Sequence, residues 1–445
     1  MKTFNMGGVH PPEMKEISAG AAIERFAIPK IVVLPLSQHT GAPCDPIVKK
    51  GDLVKTGQLI ADSPKPISAP IHSSITGKVT AIEHRNHPLG PRVKSIVIEG
   101  DGTDEWIEGV NPSLFDQDAP VDVDFSRAAD FRRKIRDAGI VGLGGAAFPT
   151  HFKLSPPPDK KIDTLIVNGA ECEPYLTADY RVMLERPRSI LMGTRIIMEI
   201  LGIKNAFIAI ENNKPDAIEL LNKLCGEFSA TDAPIQIAVC KTKYPEGGEK
   251  QLINAVTGRE VPSGKLPMEV GCVVQNVGTA AAIYEAIALN KPLVERVVTV
   301  TGSAIGKPGN LMVRIGTVCR DILEYCEYQG AEGNAVIMGG PMMGKAVKYL
   351  DVPVVKGTSG ILCVAAKDVA ILDHRPCLHC GRCVEVCPMG LNPTELALYT
   401  ENREYGDLLR MGLMDCMECG SCAYACPARR RLVQWIRVGK MEVKR

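Results

Sequence analysis

Two short runs of cysteines near the C-terminus carry the clearest chemistry in the sequence. Each run has the spacing C-x2-C-x2-C-x3-C-P, first over residues 377–388 and again over residues 416–427. Three thiolates this close together in one tight loop can bind three corners of a single iron–sulfur cubane. Zinc sites instead use two C-x2-C pairs separated by a longer loop, and they have no use for a third cysteine three residues on. The two runs therefore predict iron–sulfur clusters.

This spacing is identified as the two-cluster pattern of bacterial ferredoxins, and the resemblance implies which cysteines share a cluster. In that pattern the fourth cysteine of each run binds the cluster of the other run. The implied ligands of the first [4Fe–4S] cluster are Cys377, Cys380, Cys383 and Cys426. Those of the second are Cys416, Cys419, Cys422 and Cys387. Because such clusters pass single electrons, a site that supplies or removes electrons is expected elsewhere in the chain.

The composition is that of an ordinary protein of several domains. Of its 445 residues, 45% are hydrophobic and 23% are charged. Lys plus Arg number 52 and Asp plus Glu 51, and this balance argues against nucleic acid as a partner. No apolar run reaches the roughly 18 to 20 residues that span a bilayer, and the start of the chain lacks the apolar core of a signal peptide. The chain is expected in the cytosol or on its membrane face, without a transmembrane segment of its own.

The order of elements predicts a multidomain α/β plus β protein. Residues 1 to about 115 have short β-branched runs separated by Gly, Pro and Asp turns, which is typical of an all-β domain. Between about 125 and 290, apolar strands such as "DTLIVNGA" and "NAFIAIEN" alternate with helical patterns, which predicts an α/β sheet. Residues 295 to about 365 indicate a small β-rich domain, and the rest is helical and rich in cysteine. Ligands of an α/β sheet bind at the carboxyl ends of its strands.

Part of the N-terminal domain resembles the barrel-sandwich hybrid of biotinyl and lipoyl carriers. The matching stretch is "IVKKGDLVKTGQLIADSPKPISAPIHSSITGKVTAIE". Carriers present a modifiable lysine at the tip of a hairpin, but this tip has the residues Ser73, Ser74, Ile75 and Thr76. A structural barrel is therefore favoured over a swinging arm.

A glycine-rich loop, "GIVGLGGAAFPTHFKL", follows the helix-like segment "AADFRRKIRDA". It is not the Rossmann fingerprint, whose glycines join a strand to a helix. Its backbone N–H groups can still bind a phosphate, with Lys153 as a point charge. From the residues alone, a flexible connector and a binding loop are equally supported.

Three further loops carry polar residues at predicted strand ends. Glu171 and Glu173 follow the strand "DTLIV". They are expected either to accept hydrogen bonds from sugar hydroxyls or to be solvated turn residues. Tyr244 and Glu249 lie in "KYPEGGEKQLINAVTG", a strand-to-helix turn of the kind that binds anions. The fourth loop, "VVQNVGTA", contains Asn276 and Thr279.

Together the four loops resemble the flavin and NADH site of the NADH-binding subunit of respiratory complex I. The resemblance implies that FMN is bound by Gly142, Gly144, Lys153, Asn168, Glu171, Tyr244, Glu249, Asn276 and Thr279. It also implies that Phe148 stacks near the nicotinamide, and that no side chain is catalytic, because the flavin transfers the hydride. The sequence departs from the pattern at Ala170, Gly248, Gln275 and Gly278. Flavin contacts are expected to survive these departures better than nucleotide contacts.

The order of the whole chain resembles the C subunits of the Rnf electron-transport complex. The resemblance implies a barrel-sandwich hybrid at 1–120, a complex I flavoprotein-like α/β domain binding FMN and NAD(H) at 121–292, a soluble-ligand-binding β-grasp domain at 293–366 and a double-cluster ferredoxin-like helical domain at 367–445. It implies a peripheral subunit at the cytoplasmic face of the membrane. Its implied partners are the integral membrane and ferredoxin-like subunits of that complex. The implied activity is that of an ion-translocating ferredoxin:NAD+ oxidoreductase, moving Na+ or H+.

Two other functions compete with this interpretation. A soluble NADH-dependent cobalamin reductase would share much of the architecture. A flavin-free electron-transfer scaffold would keep the clusters and is compatible with Ala170 and Gly248.

The C-terminal segment raises a separate question of docking. It is basic from Arg429 onward, with Leu432, Trp435 and Ile436 at near-helical spacing. This face is expected either at a lipid surface or acidic partner, or packed on the ferredoxin fold.

Overall fold

The structure, a computed structural model, describes residues 1–118, 121–228, 233–369 and 375–443. The boundary predicted at residue 120 and the last two basic residues, Lys444 and Arg445, lie outside these ranges. In the described part, no helix is both long and apolar enough to cross a membrane.

Eight short strands form the N-terminal region. They are β1 (Ile23–Arg25), β2 (Ile31–Pro35), β3 (Asp45–Pro46), β4 (Leu53–Val54), β5 (Leu59–Asp62), β6 (Ile71–His72), β7 (Gly77–Arg85) and β8 (Val93–Gly100). One antiparallel sheet has the order β2-β8-β7-β4 and a second has the order β3-β5-β6, while β1 joins a different sheet. Along β2 and β8, the paired residues Val32 with Ile98 and Leu34 with Ile96 are completely buried. These alternating apolar positions build the core of the barrel.

The hairpin tip of the barrel is buried. Ser73, Ser74, Ile75 and Thr76 are all inaccessible to solvent or nearly so. The Ser74 hydroxyl donates a hydrogen bond to the carbonyl of Ile315 at 2.5 Å. Because the tip packs against another part of the chain, the barrel is structural, as the sequence favours.

A parallel four-stranded sheet with the order β11-β10-β9-β12 forms the α/β region. Its strands are β9 (Thr164–Gly169), β10 (Asn205–Glu211), β11 (Ile235–Cys240) and β12 (Cys272–Asn276). Its helices are α1 (Ala128–Asp137), α2 (Thr150–Lys153), α3 (Ala178–Glu185), α4 (Pro187–Leu201), α5 (Pro215–Phe228), α6 (Glu249–Thr257) and α7 (Val277–Ala288). Pro187 starts α4, and Gly202 ends it in the left-handed conformation that glycine adopts freely. The parallel strands bring all four carboxyl ends to one edge.

A mixed six-stranded sheet follows, with the order β1-β14-β13-β17-β15-β16. Its elements in chain order are β13 (Glu295–Thr301), β14 (Gly309–Arg314), α8 (Cys319–Tyr325), β15 (Ala335–Met338), β16 (Lys345–Ala346) and β17 (Gly360–Val364). The N-terminal strand β1 pairs in parallel with β14 at its edge. The N-terminal segment therefore ties this mixed sheet to the rest of the chain.

The C-terminal region has two similar halves around the cysteine runs. Its helices are α9 (Arg382–Glu385), α10 (Pro393–Glu401), α11 (Ser421–Tyr424) and α12 (Leu432–Val443). Within the described part of α12, Leu432 and Ile436 are buried and Trp435 is half-buried. These apolar residues pack on the ferredoxin region. Of the two expectations for this helix, packing on the ferredoxin fold is the one observed.

Candidate flavin and iron–sulfur site

The glycine loop lies against the start of α7 at the carboxyl edge of the parallel sheet. The backbone N–H of Leu143 donates to the Thr279 hydroxyl at 2.9 Å. A Cβ atom on Gly144 would come within 2.9 Å of Asn276 Nδ2, so only glycine allows this close approach. Asn276 itself caps α7, because its Oδ1 accepts hydrogen bonds from Gly278 N at 2.9 Å and from Thr279 N at 3.2 Å. The loop is a packed element of the site and not a flexible connector.

Asn168 joins two of the other loops. At the end of β9, its Nδ2 donates to the carbonyl of Gly247 at 2.9 Å, and its Oδ1 accepts from Ala170 N at 3.0 Å. Asn168 is also paired with Asn276 in the sheet register. The loops after β9, β11 and β12 therefore converge with the glycine loop, as the sequence predicts.

Lys153 and Glu249 form the rim of the same site. Lys153 Nζ lies 2.5 Å from Glu249 Oε1, and both side chains are partly exposed. Lys153 ends α2 and Glu249 begins α6, so the pair closes the space between the glycine loop and the turn at 244–249. An anionic ligand can compete for the Lys153 ammonium here.

Glu171 has backbone partners at the start of α3. Its carboxylate accepts hydrogen bonds from the backbone N–H groups of Asp179 at 2.9 Å and Tyr180 at 3.3 Å. It therefore satisfies the free amides at the start of α3. The sequence predicts that the Glu171 oxygens accept hydrogen bonds from a ligand, but it does not predict these backbone N–H partners.

Asp179 is a site residue that the sequence analysis misses. Its Oδ2 accepts a hydrogen bond from Asn276 Nδ2 at 2.6 Å, which links α3 to the cap of α7. Burial raises the pKa of Asp179 to about 7, the negative charge of Glu171 adds to the rise, and the bond from Asn276 opposes it. No spacing in the sequence marks Asp179, because it lies within a helix and not in a strand-end motif.

Tyr244 faces the iron–sulfur region. Its ring is only 2% exposed, and its hydroxyl donates to the carbonyl of Cys419 at 2.7 Å. Burial raises its pKa, and the charge of Glu173 adds to this, so the hydroxyl stays protonated and remains a donor. The residue expected at the flavin is thus also in direct contact with an expected cluster ligand.

The arrangement of the strand-end loops fits FMN. Gln275 Nε2 is a buried donor with no protein partner in the described part of the chain, and it lies next to Asn276 at the end of β12. A Cβ on Gly145 would have nothing within 4 Å, so the glycine loop has open space on that side. Phe148 and Phe152 provide aromatic surface beside it, with ring centroids 5.9 Å apart. These are the donors, cation and apolar ring contacts that a phosphorylated flavin requires.

One cavity gathers four cysteines from both runs. Its walls include Cys387 of the first run together with Cys416, Cys419 and Cys422 of the second. Burial raises the pKa of Cys416 to about 11, and charge on Cys419 and on Cys387 contributes to this rise. The thiols of the implied second ligand set are therefore neighbours.

The other four cysteines lie farther out. Cys383 and Cys426 belong to one apolar cluster with Leu432 and Val433 of α12. Cys377 is half-buried, and Cys380 is exposed. The implied first ligand set is therefore the more accessible of the two.

Backbone N–H groups approach the sulfur atoms in a repeated pattern. His379 N donates to Cys377 Sγ and Glu418 N donates to Cys416 Sγ, each at 3.4 Å and each from two residues along the chain. His379 and Glu418 both have positive φ, of 51° and 61°, which turns these N–H groups toward the sulfurs. Hydrogen bonds to ligand sulfur stabilise negative charge and tune the potential of a cluster.

The cavity lined by the second ligand set lies close to the strand-end loops. Gln251 of α6 donates from Nε2 to the carbonyl of Pro388 at 3.2 Å. The N-terminal segment runs between the two regions: Gly8 N donates to Val386 O at 2.9 Å, and Val9 pairs with Tyr244 through reciprocal bonds of 2.8 and 2.9 Å. Several packed contacts therefore join the strand-end loops to the second ligand set.

Three family models match the chain. The Nuo51 FMN-binding domain matches residues 135–285, the RnfC barrel sandwich hybrid domain matches residues 2–103, and the 4Fe-4S dicluster domain matches residues 370–427. These regions coincide with the strand-end loops, the barrel and the cysteine runs. A flavin-binding α/β domain joined to a two-cluster domain defines an iron–sulfur flavoprotein, with FMN and two [4Fe–4S] clusters as its cofactors.

Two of the similar relatives match over nearly the whole of both chains. The C subunit of the proton-translocating ferredoxin:NAD(+) oxidoreductase complex of Clostridium ljungdahlii is 49% identical over 99% of this chain and 94% of its own length. The C subunit of the Na(+)-translocating ferredoxin:NAD(+) oxidoreductase complex of Acetobacterium woodii is 47% identical, over 98% and 96% respectively. The chain belongs to the family of Rnf complex C subunits, which confirms the resemblance.

A solved structure shares the fold. The crystal structure of an NAD+-reducing [NiFe]-hydrogenase in the H2-reduced state superposes with a TM-score of 0.54 at 18% identity, covering 74% of this chain and 67% of that chain. At this identity the likeness concerns the fold alone.

Proposed function

We propose that this chain is the NAD(H)-binding peripheral subunit of a ferredoxin:NAD+ oxidoreductase complex that moves Na+ or H+ across a membrane. The observation that carries the proposal is the bond of 2.7 Å from the Tyr244 hydroxyl to the Cys419 carbonyl. It joins a loop of the flavin-binding domain to a loop of the two-cluster domain, where electrons must pass between the two cofactors. When bound, FMN exchanges a hydride with NAD(H) and single electrons with the clusters.

The strand-end residues are proposed to bind FMN as follows. Lys153 supplies a cation, and Gly142 and Gly144 allow the backbone to approach the ligand closely. Asn168 and Asn276 hold the loops in place, with Thr279 fixing the glycine loop and Glu171 fixing α3. Tyr244 and Glu249 form the wall on the cluster side, and Phe148 contributes the ring surface beside which the nicotinamide binds. Gln275 and Asp179 are added to the set predicted from sequence.

The two cysteine sets are proposed to act in a fixed order. The set of Cys416, Cys419, Cys422 and Cys387 holds the cluster nearer the flavin, because Tyr244 and Gln251 donate to the carbonyls of Cys419 and Pro388 in the wall of its cavity. The set of Cys377, Cys380, Cys383 and Cys426 holds the outer cluster. Exposure of Cys380 makes this outer cluster the point of exchange with a partner.

The remaining assignments rest on the family. The proposed partners are the integral membrane and ferredoxin-like subunits of an Rnf complex, and the proposed location is the cytoplasmic face of the membrane. The functional units are proposed to follow the ranges 1–120, 121–292, 293–366 and 367–445. Relatives named for protons and for Na+ are almost equally identical, at 49% and 47%, so identity does not select the ion.

The test is anaerobic reduction of the purified chain by NADH. We expect about one FMN and about eight irons per chain, with bleaching of the flavin followed by reduction of the clusters. Clusters without flavin and without reduction by NADH would instead support an electron-transfer scaffold. Purification free of membrane subunits, with cobalamin accepted as the oxidant, would support the soluble reductase.

A further inference from the structure

Two buried cations of the mixed-sheet region reach the back of the glycine loop. Arg296 of β13 donates from Nη1 and from Nη2 to the carbonyl of Leu143, each at 3.2 Å. Lys356 donates from Nζ to the carbonyl of Gly139 at 2.7 Å and to that of Pro70 at 2.6 Å. Arg296 also donates to the carbonyl of Lys356 at 2.6 Å, which joins the two cations into one unit. Both ends of the segment 139–143 are thus held from one side.

These cations lack the partners that buried charges usually have. Arg296 is 5% exposed and Lys356 is 1% exposed, yet neither forms an ion pair with any carboxylate of the described ranges. Burial lowers the pKa of Arg296 to about 10, against the opposing charges of Asp179 and Glu171, and lowers that of Lys356 to about 8. Arg296 therefore remains charged at neutral pH, and Lys356 is charged below its lowered pKa. Burying charge that is bound only to carbonyls is costly, so a role beyond stability is indicated.

The opposite side of the loop faces the open part of the site. The carbonyls of Gly139 and Leu143 point to the cations, while Gly144 packs on Asn276 and Gly145 borders empty space. Fixing the carbonyls on one side fixes the orientation of the peptide planes that follow. Two positive charges behind the loop also favour an anionic ligand on its front.

We propose that Arg296 and Lys356 are positioning residues for FMN, which hold the glycine loop in its binding conformation and select the phosphorylated flavin over neutral riboflavin. This inference rests on the proposed function, because it assumes that the loop binds FMN. It assigns to the mixed-sheet region a part in cofactor binding, although its residues lie outside the segment matched by the FMN-binding family model.

The chain offers a matched control in Arg314. This arginine is also buried in the mixed sheet, and it also donates to a carbonyl of another region, that of Ser74 at 3.2 Å. Its ion pairs are with Asp104 at 2.7 Å and Glu295 at 3.4 Å, both outside the glycine loop. Arg296→Lys and Arg314→Lys therefore remove the same guanidinium group from similarly buried positions, and Lys356→Met removes the second charge.

The experiment measures FMN and riboflavin affinity by flavin fluorescence in the deflavinated full-length chain. We expect Arg296→Lys to weaken FMN binding roughly ten- to a hundredfold, the worth of one charge-assisted hydrogen bond, and Arg314→Lys to leave it within about twofold. Lys356→Met should weaken FMN more than riboflavin. Amide exchange of residues 139–148 should accelerate in Arg296→Lys but not in Arg314→Lys, a readout that needs no flavin.

Two results of the binding measurements would overturn the inference alone. One is equal FMN affinity in the Arg296 and Arg314 variants, and the other is an unchanged preference for FMN over riboflavin in Lys356→Met. A wild-type chain that binds no FMN would overturn the proposed function together with the inference. Unchanged amide exchange in Arg296→Lys would show that the loop does not depend on this cation.

Discussion

Replacing Tyr244 by Phe tests the contact between the flavin loops and the cluster loops. The substitution removes only the hydroxyl that donates to the Cys419 carbonyl at 2.7 Å. Tyr244 is 2% exposed and Cys419 is 7% exposed, so water does not readily replace the lost donor. A buried carbonyl left without a partner costs about 1 to 3 kcal/mol.

The effect should appear as easier local opening of the ferredoxin region. A cost of about 1 to 3 kcal/mol corresponds to amide exchange that is roughly 5- to 150-fold faster, measured by mass spectrometry on peptides covering residues 375–390 and 414–430. Tyr284→Phe is the matched control, because that buried hydroxyl of α7 accepts a bond from Val121 N at 2.7 Å and lies away from the clusters. Equal rates of amide exchange in the two variants, or exchange in Tyr244→Phe no faster than in wild type, would refute a coupling of the two regions through Tyr244.

Three further perturbations probe the flavin site. Gly144→Ala should lower the stability of the fold by about 1 to 3 kcal/mol and reduce FMN content, because its Cβ would meet Asn276 Nδ2 at 2.9 Å. Gly145→Ala is the control, because its Cβ would have nothing within 4 Å. In thermal melts and flavin assays, Gly145→Ala should change neither stability nor FMN content. Asp179 has a pKa raised to about 7, so its protonated form stabilises the fold at low pH, and this stability should be lost as pH rises from about 4 to about 7. Asp179→Asn should therefore flatten the dependence of the free energy of unfolding on pH, measured by urea unfolding. An unchanged dependence on pH would contradict the raised pKa of Asp179. Lys153→Met with Glu249→Gln should lower flavin occupancy while cluster absorbance persists, and undiminished occupancy would remove both residues from the site.

The sequence predicts those parts of the site that depend on local pattern. The apolar runs of the α/β region become β9 to β12, and parallel pairing alone then brings the loops at Asn168, Tyr244 and Asn276 to one edge. The crossed cysteine sets follow from a spacing already known from ferredoxins, and Cys387 does lie beside Cys416, Cys419 and Cys422.

Contacts between distant segments are not predictable in the same way. Tyr244 and Cys419 are 175 residues apart, and nothing in either motif indicates that they meet. Glu171 binds the amides of α3, because a helix start eight residues later lies within its reach. The pairing of β1 with β14 involves three residues, too few for a periodic signal. In each case tertiary packing supplies a partner that local pattern does not encode.

In the proposed electron path, electrons enter the cluster region through the set of Cys387, Cys416, Cys419 and Cys422. The most direct measurement is low-temperature EPR of full-length Cys387→Ala and Cys426→Ala chains, frozen after anaerobic mixing with NADH and again after dithionite. Cys387→Ala should match a Cys419→Ala chain, with an outer cluster that dithionite reduces but NADH reduces only slowly. Cys426→Ala should keep an inner cluster that NADH reduces as in wild type. Rapid reduction of the remaining cluster by NADH in Cys387→Ala, or a spectrum matching Cys380→Ala, would contradict the account.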